Sequence, residues 1–259
     1  MSDYRGRFLW YELMTTDVAA AKAFYGEVTG WGTSEWEGGE MPYSMFMTGE
    51  TPQAGLIILP EKAKALGAPP NWMAYIGTPD VDATMAKAIE LGGKAATDPI
   101  EIPNIGRFVV LSDPQGAYFS AYTPSEPPST PLARAEVGGF SWNELMTTDW
   151  EGAWTFYEAL FGWKKTDSMD MGPEMGGIYQ MWGMGDLTLG GMFNKPASVS
   201  APPHWLLYIR VPDVDEAAER VKSNGGQVLN GPMEVPGGDR IVQCMDPQGA
   251  AFAMHHCKS

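Results

Sequence analysis

The apolar pattern of the first ninety residues changes period three times. Phe8–Thr15 alternates as a strand. Asp17 is a suitable N-cap, and Val18, Ala21, Phe24, Tyr25 and Val28 follow at helical spacing until Gly30. Short strand-like stretches lie at about 43–48 and 54–59, bounded by Gly and Pro. After a loop at Glu61–Pro70, Trp72–Ile76 reads as a strand. A helix capped by Asp80 or Asp82 then runs to Leu91 and is closed by Gly92-Gly93. Strands at about 107–112 and 117–122 meet across Asp113-Pro-Gln-Gly116, which is turn chemistry.

The pattern then repeats. Phe8–Trp31 and Phe140–Trp163 agree at about half of their positions. APPNWMAYIGTPDVD from Ala68 returns as APPHWLLYIRVPDVD from Ala201, and DPQGA at Asp113–Ala117 returns at Asp246–Ala250. All three recur at an offset of roughly 132–133 residues, so the chain holds two copies of one domain and any site comes in two versions. The second copy predicts helices from Asp149 to about Leu160 and from about Val214 to Asn224. Four βαβββ-like units result, two per copy. The predicted fold is α+β: two tandem domains, each of two paired βαβββ modules forming a curved sheet around a cleft. The domains are placed at 1–123 and 137–259, joined by a Pro-rich linker at 124–136.

Composition narrows the partners. The net charge of −15 argues against nucleic acid and anionic membrane surfaces, which both call for basic patches. No apolar run is long enough to span a bilayer, and the start MSDYRGRFLWYEL is no secretory signal. Both cysteines, Cys244 and Cys257, flank the second DPQG turn unequally, so a disulfide between them is not expected. A reducing cytoplasm is the simplest compartment. Seventeen Met and ten Trp suit either adaptable apolar cavities or ordinary core filling.

The order of these motifs resembles the vicinal oxygen chelate superfamily of glyoxalases, bleomycin-resistance proteins and extradiol dioxygenases. The resemblance rests on Thr16-Asp17, Phe24-Tyr25, Gly30-Trp31, Pro79-Asp80-Val81-Asp82, Gly92-Gly93 and Asp113–Gly116, each with its second-copy counterpart. Enzymes of that family place His, Gln or Glu at four cleft-facing strand positions to hold a divalent metal. Carried onto this chain, the first position is Trp10 or Trp142, the third Met73 or Leu206, and the fourth Ser120 or Ala253. The second falls within Ala54–Leu59 or Leu187–Asn194, where there is no His, Glu or Gln. The resemblance therefore implies no family-type metal and no cofactor. The three histidines do not rebuild it: His204 reads as a hydrogen-bonded cleft or structural residue, and His255-His256 as a strand end meeting a solvated tail.

Several polar and aromatic residues remain on the cleft side. Trp10, Glu12 and Met14 share one strand face, as do Trp142, Glu144 and Met146. A carboxylate in an apolar stretch is costly unless paired or protonated. Glu12 and Glu144 are thus candidate acid–base groups or holders of a polar ligand atom. The alternative is a structural Glu bonded to backbone or to Arg107 or Arg240. Candidate ligand-binding residues are Trp10, Met14, Asn71, Met73, Tyr75, Tyr118 and Tyr122 in the first copy. Trp142, Met146, His204, Tyr208 and Arg210 are those of the second. Trp72 and Trp205 have the opposite parity and should pack under the helices. The copies differ at Asn71/His204, Gly77/Arg210 and Tyr118/Ala251, which predicts two clefts of unequal size and polarity.

The leading expectation is binding of a small apolar or aromatic molecule without metal, for which bleomycin-resistance proteins are the family precedent. One alternative is a lyase, isomerase or hydroxylase/dioxygenase-type enzyme using Glu12 or Glu144, with or without a divalent metal. The other is a structural or interaction protein with filled clefts. Either a monomer or a homodimer fits the fused pair.

Overall fold

Asp17, Asp80, Asp149 and Asp213 each stand in extended backbone and accept hydrogen bonds from the first turn of the helix that follows. These caps start the four long helices: α1 (Val18–Thr29), α3 (Val81–Glu90), α4 (Trp150–Phe161) and α5 (Val214–Ser223). Gly30 and Gly162 end α1 and α4 at φ 79° and 70°, a conformation that costs glycine nothing. The computed structural model describes residues 4–38 and 42–258.

In the first copy the strands are β1 (Phe8–Thr15), β2 (Gly32–Trp36), β3 (Tyr43–Thr48), β4 (Thr51–Ile58), β5 (Asn71–Gly77), β6 (Lys94–Ala95), β7 (Ile100–Ile102), β8 (Gly106–Ser112) and β9 (Tyr118–Pro124). A short helix α2 (Glu61–Ala65) precedes β5. The second copy has β10 (Phe140–Thr147), β11 (Lys164–Asp170), β12 (Ile178–Met184), β13 (Leu187–Asn194), β14 (His204–Arg210), β15 (Gln227–Glu234), β16 (Arg240–Met245) and β17 (Ala251–His256). The strand order is β2-β3-β4-β1-β5-β9-β8-β6 in the first sheet, with β7 on β8, and β11-β12-β13-β10-β14-β17-β16-β15 in the second. This is the expected α+β fold, two copies of paired βαβββ modules.

Packing regroups the modules. One compact unit joins the chain up to Leu9 with Ala74–Arg134 and Asn143–Trp205; the other joins Trp10–Met73, Ala135–Trp142 and Leu206 onward. Each unit thus takes one module from each copy.

The core of each unit centres on a helix tyrosine. In one, Tyr25 of α1 accepts from Trp72 Nε1 at 2.9 Å and donates to Asp246 Oδ2 at 3.2 Å. In the other, Tyr157 of α4 accepts from Trp205 Nε1 at 3.1 Å and donates to Asp113 Oδ2 at 3.1 Å. Trp72 and Trp205 therefore do pack under the helices. The remaining oxygen of each Asp is taken by its own turn: Asp113 Oδ1 accepts from the backbone of Gln115, Gly116 and Ala117. Burial raises both carboxyls above the usual range and pushes both tyrosines well above theirs. The DPQG and Phe-Tyr signatures are thus fastened to each other.

Candidate functional site

The site-bearing faces are the strand faces turned away from the helices. On β1, Tyr11, Leu13 and Thr15 are buried on the helix side, leaving Trp10, Glu12 and Met14 on the other. Glu12 lies opposite Gly55 of β4 in parallel register, and Glu144 lies opposite Gly191 of β13. Both glycines are required by close approach: a Cβ at Gly55 would overlap the Tyr43 hydroxyl, and one at Gly191 the Tyr179 ring. A tyrosine from the neighbouring strand thus lies against a glycine of the second-position window in each copy.

Tyr179 donates to Glu144 Oε2 at 2.8 Å, and Glu144 is 6% exposed. Tyr43 accepts from Trp10 Nε1 at 2.8 Å. The arginine partners considered for the two glutamates are engaged elsewhere. Arg107 forks onto Asp82 at 3.0 and 3.1 Å, and Arg240 meets Asp215 at 2.8 Å. Those acids stand at the starts of α3 and α5, where the arginines at the strand ends reach them.

Three of the second copy's four inferred metal positions fall in one apolar cluster. Leu206, Tyr208 and Ala253 are buried together, with Trp142, Ile241 and Ala251 packed against them. The Tyr208 hydroxyl accepts from Gln243 Nε2 at 3.0 Å. Met146, on the same strand face as Trp142, is also buried. No imidazole or carboxylate stands at these positions, so the residues do not fit a family-type ion.

The first copy differs in residue type. Tyr75 packs against Phe108 and Tyr122, ring centroids 5.4 and 6.1 Å apart. Ser120 lies opposite Tyr75 in parallel register. It is fully buried, and its Oγ has no hydrogen-bond partner among the described residues. Met73 is buried on β5, and Met14 half-buried on β1. Tyr118 stands outside this group, 55% exposed where β9 begins. The Tyr122 hydroxyl donates to the Ile105 carbonyl.

Other candidates are taken up by the backbone. Asn71 donates to the Pro69 carbonyl and His204 Nδ1 meets the Pro202 carbonyl, both at 2.8 Å, so this pair closes equivalent turns. Burial lowers the His204 pKa. Arg210 Nη1 donates to the Ala135 carbonyl at 2.6 Å.

One expectation is corrected. His255 is no solvated strand end: it is 9% exposed, between Ser141 Oγ and Asp239 Oδ2, each 2.9 Å from a ring nitrogen. It lies two residues beyond Ala253 on β17. Its two partners come from β10 and the β15–β16 turn, and no local pattern joins them.

A family model described as "Glyoxalase/Bleomycin resistance protein/Dioxygenase superfamily" matches residues 7–120 and again 139–254. The chain belongs to that superfamily. It is 35% identical over 256 residues to a Mycobacterium bovis protein named "Putative glyoxylase CFP32", covering 98% of this chain and 96% of the relative. It is 29% identical over 260 residues to the "Anthracycline biosynthesis protein DauV" of a Streptomyces species, covering 95% and 91%. Among solved structures, the 2,2',3-trihydroxybiphenyl 1,2-dioxygenase of Sphingomonas wittichii matches with a TM-score of 0.66 at 15% identity, covering 98% of this chain and 90% of that one. That likeness shows the fold alone. Within this superfamily, the chain has Trp, Met, Leu, Ser and Ala at the first, third and fourth positions inferred for the metal.

Proposed function

We propose that this superfamily member binds a small, largely apolar or aromatic molecule on the first copy's face formed by Tyr75, Phe108, Ser120 and Tyr122, without a metal at the family positions. The observation that carries the reading is the Ser120 hydroxyl, fully buried opposite Tyr75 and without a hydrogen-bond partner among the described residues. A buried hydroxyl left unsatisfied costs about 1–3 kcal/mol, and a polar ligand atom reaching it would recover part of that. The Tyr and Phe rings supply the apolar contact that ligand pockets use. A relative named for anthracycline biosynthesis is in keeping with an aromatic ligand. The second copy has Ile241, Ala253 and His255 where the first has Phe108, Ser120 and Tyr122, so its counterpart face lacks this hydroxyl.

The test is a panel of phenols and fused-ring aromatics titrated against tryptophan fluorescence. Ser120→Ala should weaken the best ligand about 3–10-fold, the worth of one hydrogen bond. Tyr75→Ala should weaken it further. Equal affinity in wild type and both variants would end the reading.

A second reading, an acid–base enzyme, is favoured by the Tyr179–Glu144 pair, a buried carboxylate bonded to a phenol at 2.8 Å. Such a pair can hold or move a proton at Glu144 Oε2. Under this reading Glu144→Gln abolishes turnover of a bound substrate while leaving its affinity in place.

A further inference from the structure

We propose that Asp239, His255 and Cys257 form a binding site for one divalent ion of the zinc class, separate from the family's metal positions. Among the described residues these three offer ligand atoms that all lie within 4.8 Å of one another. Carboxylate oxygen, imidazole nitrogen and thiolate sulfur together select an ion of borderline softness over magnesium or calcium.

The three groups converge but must adjust to share an ion. Cys257 Sγ stands 3.9 Å from His255 Nε2 and 4.0 Å from Nδ1, beside the ring, so the thiol must swing toward Nε2. Two ligands on one zinc at bond lengths of about 2.3 and 2.05 Å would stand about 3.6 Å apart. His255 Nε2 and Asp239 Oδ2 are 2.9 Å apart. An ion between them needs about 3.3 Å, so this pair must open by a few tenths of an ångström.

The backbone fixes all three groups. His255 sits in the ladder between Arg210 of β14 and Ile241 of β16. Asp239 lies in the turn closed by the Val235 N–H on its carbonyl. Its Oδ1 accepts from the Lys258 N–H at 2.8 Å, which holds the Cys257 segment beside it and leaves Oδ2 facing His255.

The outer partner of the histidine is also in place. Ser141 Oγ lies 2.9 Å from His255 Nδ1 and 3.4 Å from the Tyr208 carbonyl. When Nε2 binds an ion, the imidazole proton resides on Nδ1 and is donated to Ser141 Oγ, whose own proton turns to that carbonyl. Metal-bound histidines are commonly oriented by such a second bond. The charges balance: the Cys257 thiol releases one proton to solvent, and thiolate plus carboxylate neutralise the dication. The fourth position is left to water.

The first copy lacks the whole set. The residues corresponding to Ser141, Asp239, His255 and Cys257 are Leu9, Gly106, Tyr122 and Pro124. All four positions thus differ between the copies.

The test uses cobalt(II) as the probe on the full chain after removal of metals by a chelator. One equivalent should bind, with the visible bands of a tetrahedral site and a near-ultraviolet thiolate-to-cobalt band, and zinc should displace it. Cys257→Ser should remove the thiolate band and weaken binding at least 10-fold. Asp239→Asn, which keeps the bond to Lys258, should weaken it without removing the band. Failure of cobalt to produce a thiolate band, or an undiminished band in Cys257→Ser, would overturn the proposal. Exposed carboxylates binding cobalt give no such band. Aromatic binding at Ser120 should be unchanged in Cys257→Ser, so the two readings fail independently.

Discussion

Tyr25 in the first helix of one copy donates its hydroxyl to Asp246 in the last turn of the other, 221 residues away, at 3.2 Å. Tyr157 and Asp113 make the reciprocal bond at 3.1 Å. Each phenol also accepts from a buried tryptophan, so removing it strands two polar groups. Tyr25→Phe and Tyr157→Phe should each cost about 1–3 kcal/mol, measured by urea unfolding. A loss below about 0.5 kcal/mol in either would show that the hub is not tight.

The same tyrosines set an alkaline limit. Burial, with the nearby Asp second, pushes both phenols well above 10.0 in the folded chain. The unfolded chain ionises first, so stability from these groups is full below pH 10 and is lost as the pH rises through the folded values. Each group should take away up to about 1.4 kcal/mol per pH unit above 10. Urea midpoints at pH 8, 10 and 11 should fall more steeply for wild type than for the double phenylalanine variant.

Gly191→Ala should displace the Tyr179 ring, because the new Cβ would overlap it. The bond from Tyr179 to Glu144 should go with it. A stability loss of about 1–3 kcal/mol is expected from overpacking. Thermal melts test the loss, and the Glu144 carboxyl signal by NMR should move. An unshifted signal would mean that Tyr179 has stayed in place.

The two thiols should separate by reactivity. Cys244 is fully buried and its pKa is pushed up to about 12 by that burial. Cys257 is half-buried near the chain end. A thiol reagent at pH 8 should therefore modify one cysteine in the folded protein and both in denaturant. Mass spectrometry of the labelled peptides identifies which.

Much of this architecture was legible from residue pattern alone. The helix caps, the DPQG turns and the repeat locate the long helices and most strands to within a residue or two. Parity alone sent Trp72 and Trp205 to the helix side. What escaped were segments with little apolar signal: α2 has no buried residue, and β11 is almost wholly exposed. The site was harder. Register along β1 and β5 separates the helix side from the other face, yet nothing local links Tyr179 to Glu144 or Ser141 to His255. Tyr25 and Asp246 were both visible as signature residues. Only packing shows that each copy's signature is completed by the other's.

That exchange bears on ancestry. A hydrophobic interior assembled from one module of each copy would have been available to a symmetric pair of half-length chains, each lending its tyrosine to its twin's aspartate. Joining them end to end keeps the partners at fixed stoichiometry and frees one half to drift. The first half carries Ser120 beside Tyr75, where the second has Ala253 beside Tyr208, and the second alone brings sulfur, imidazole and carboxylate together among the described residues.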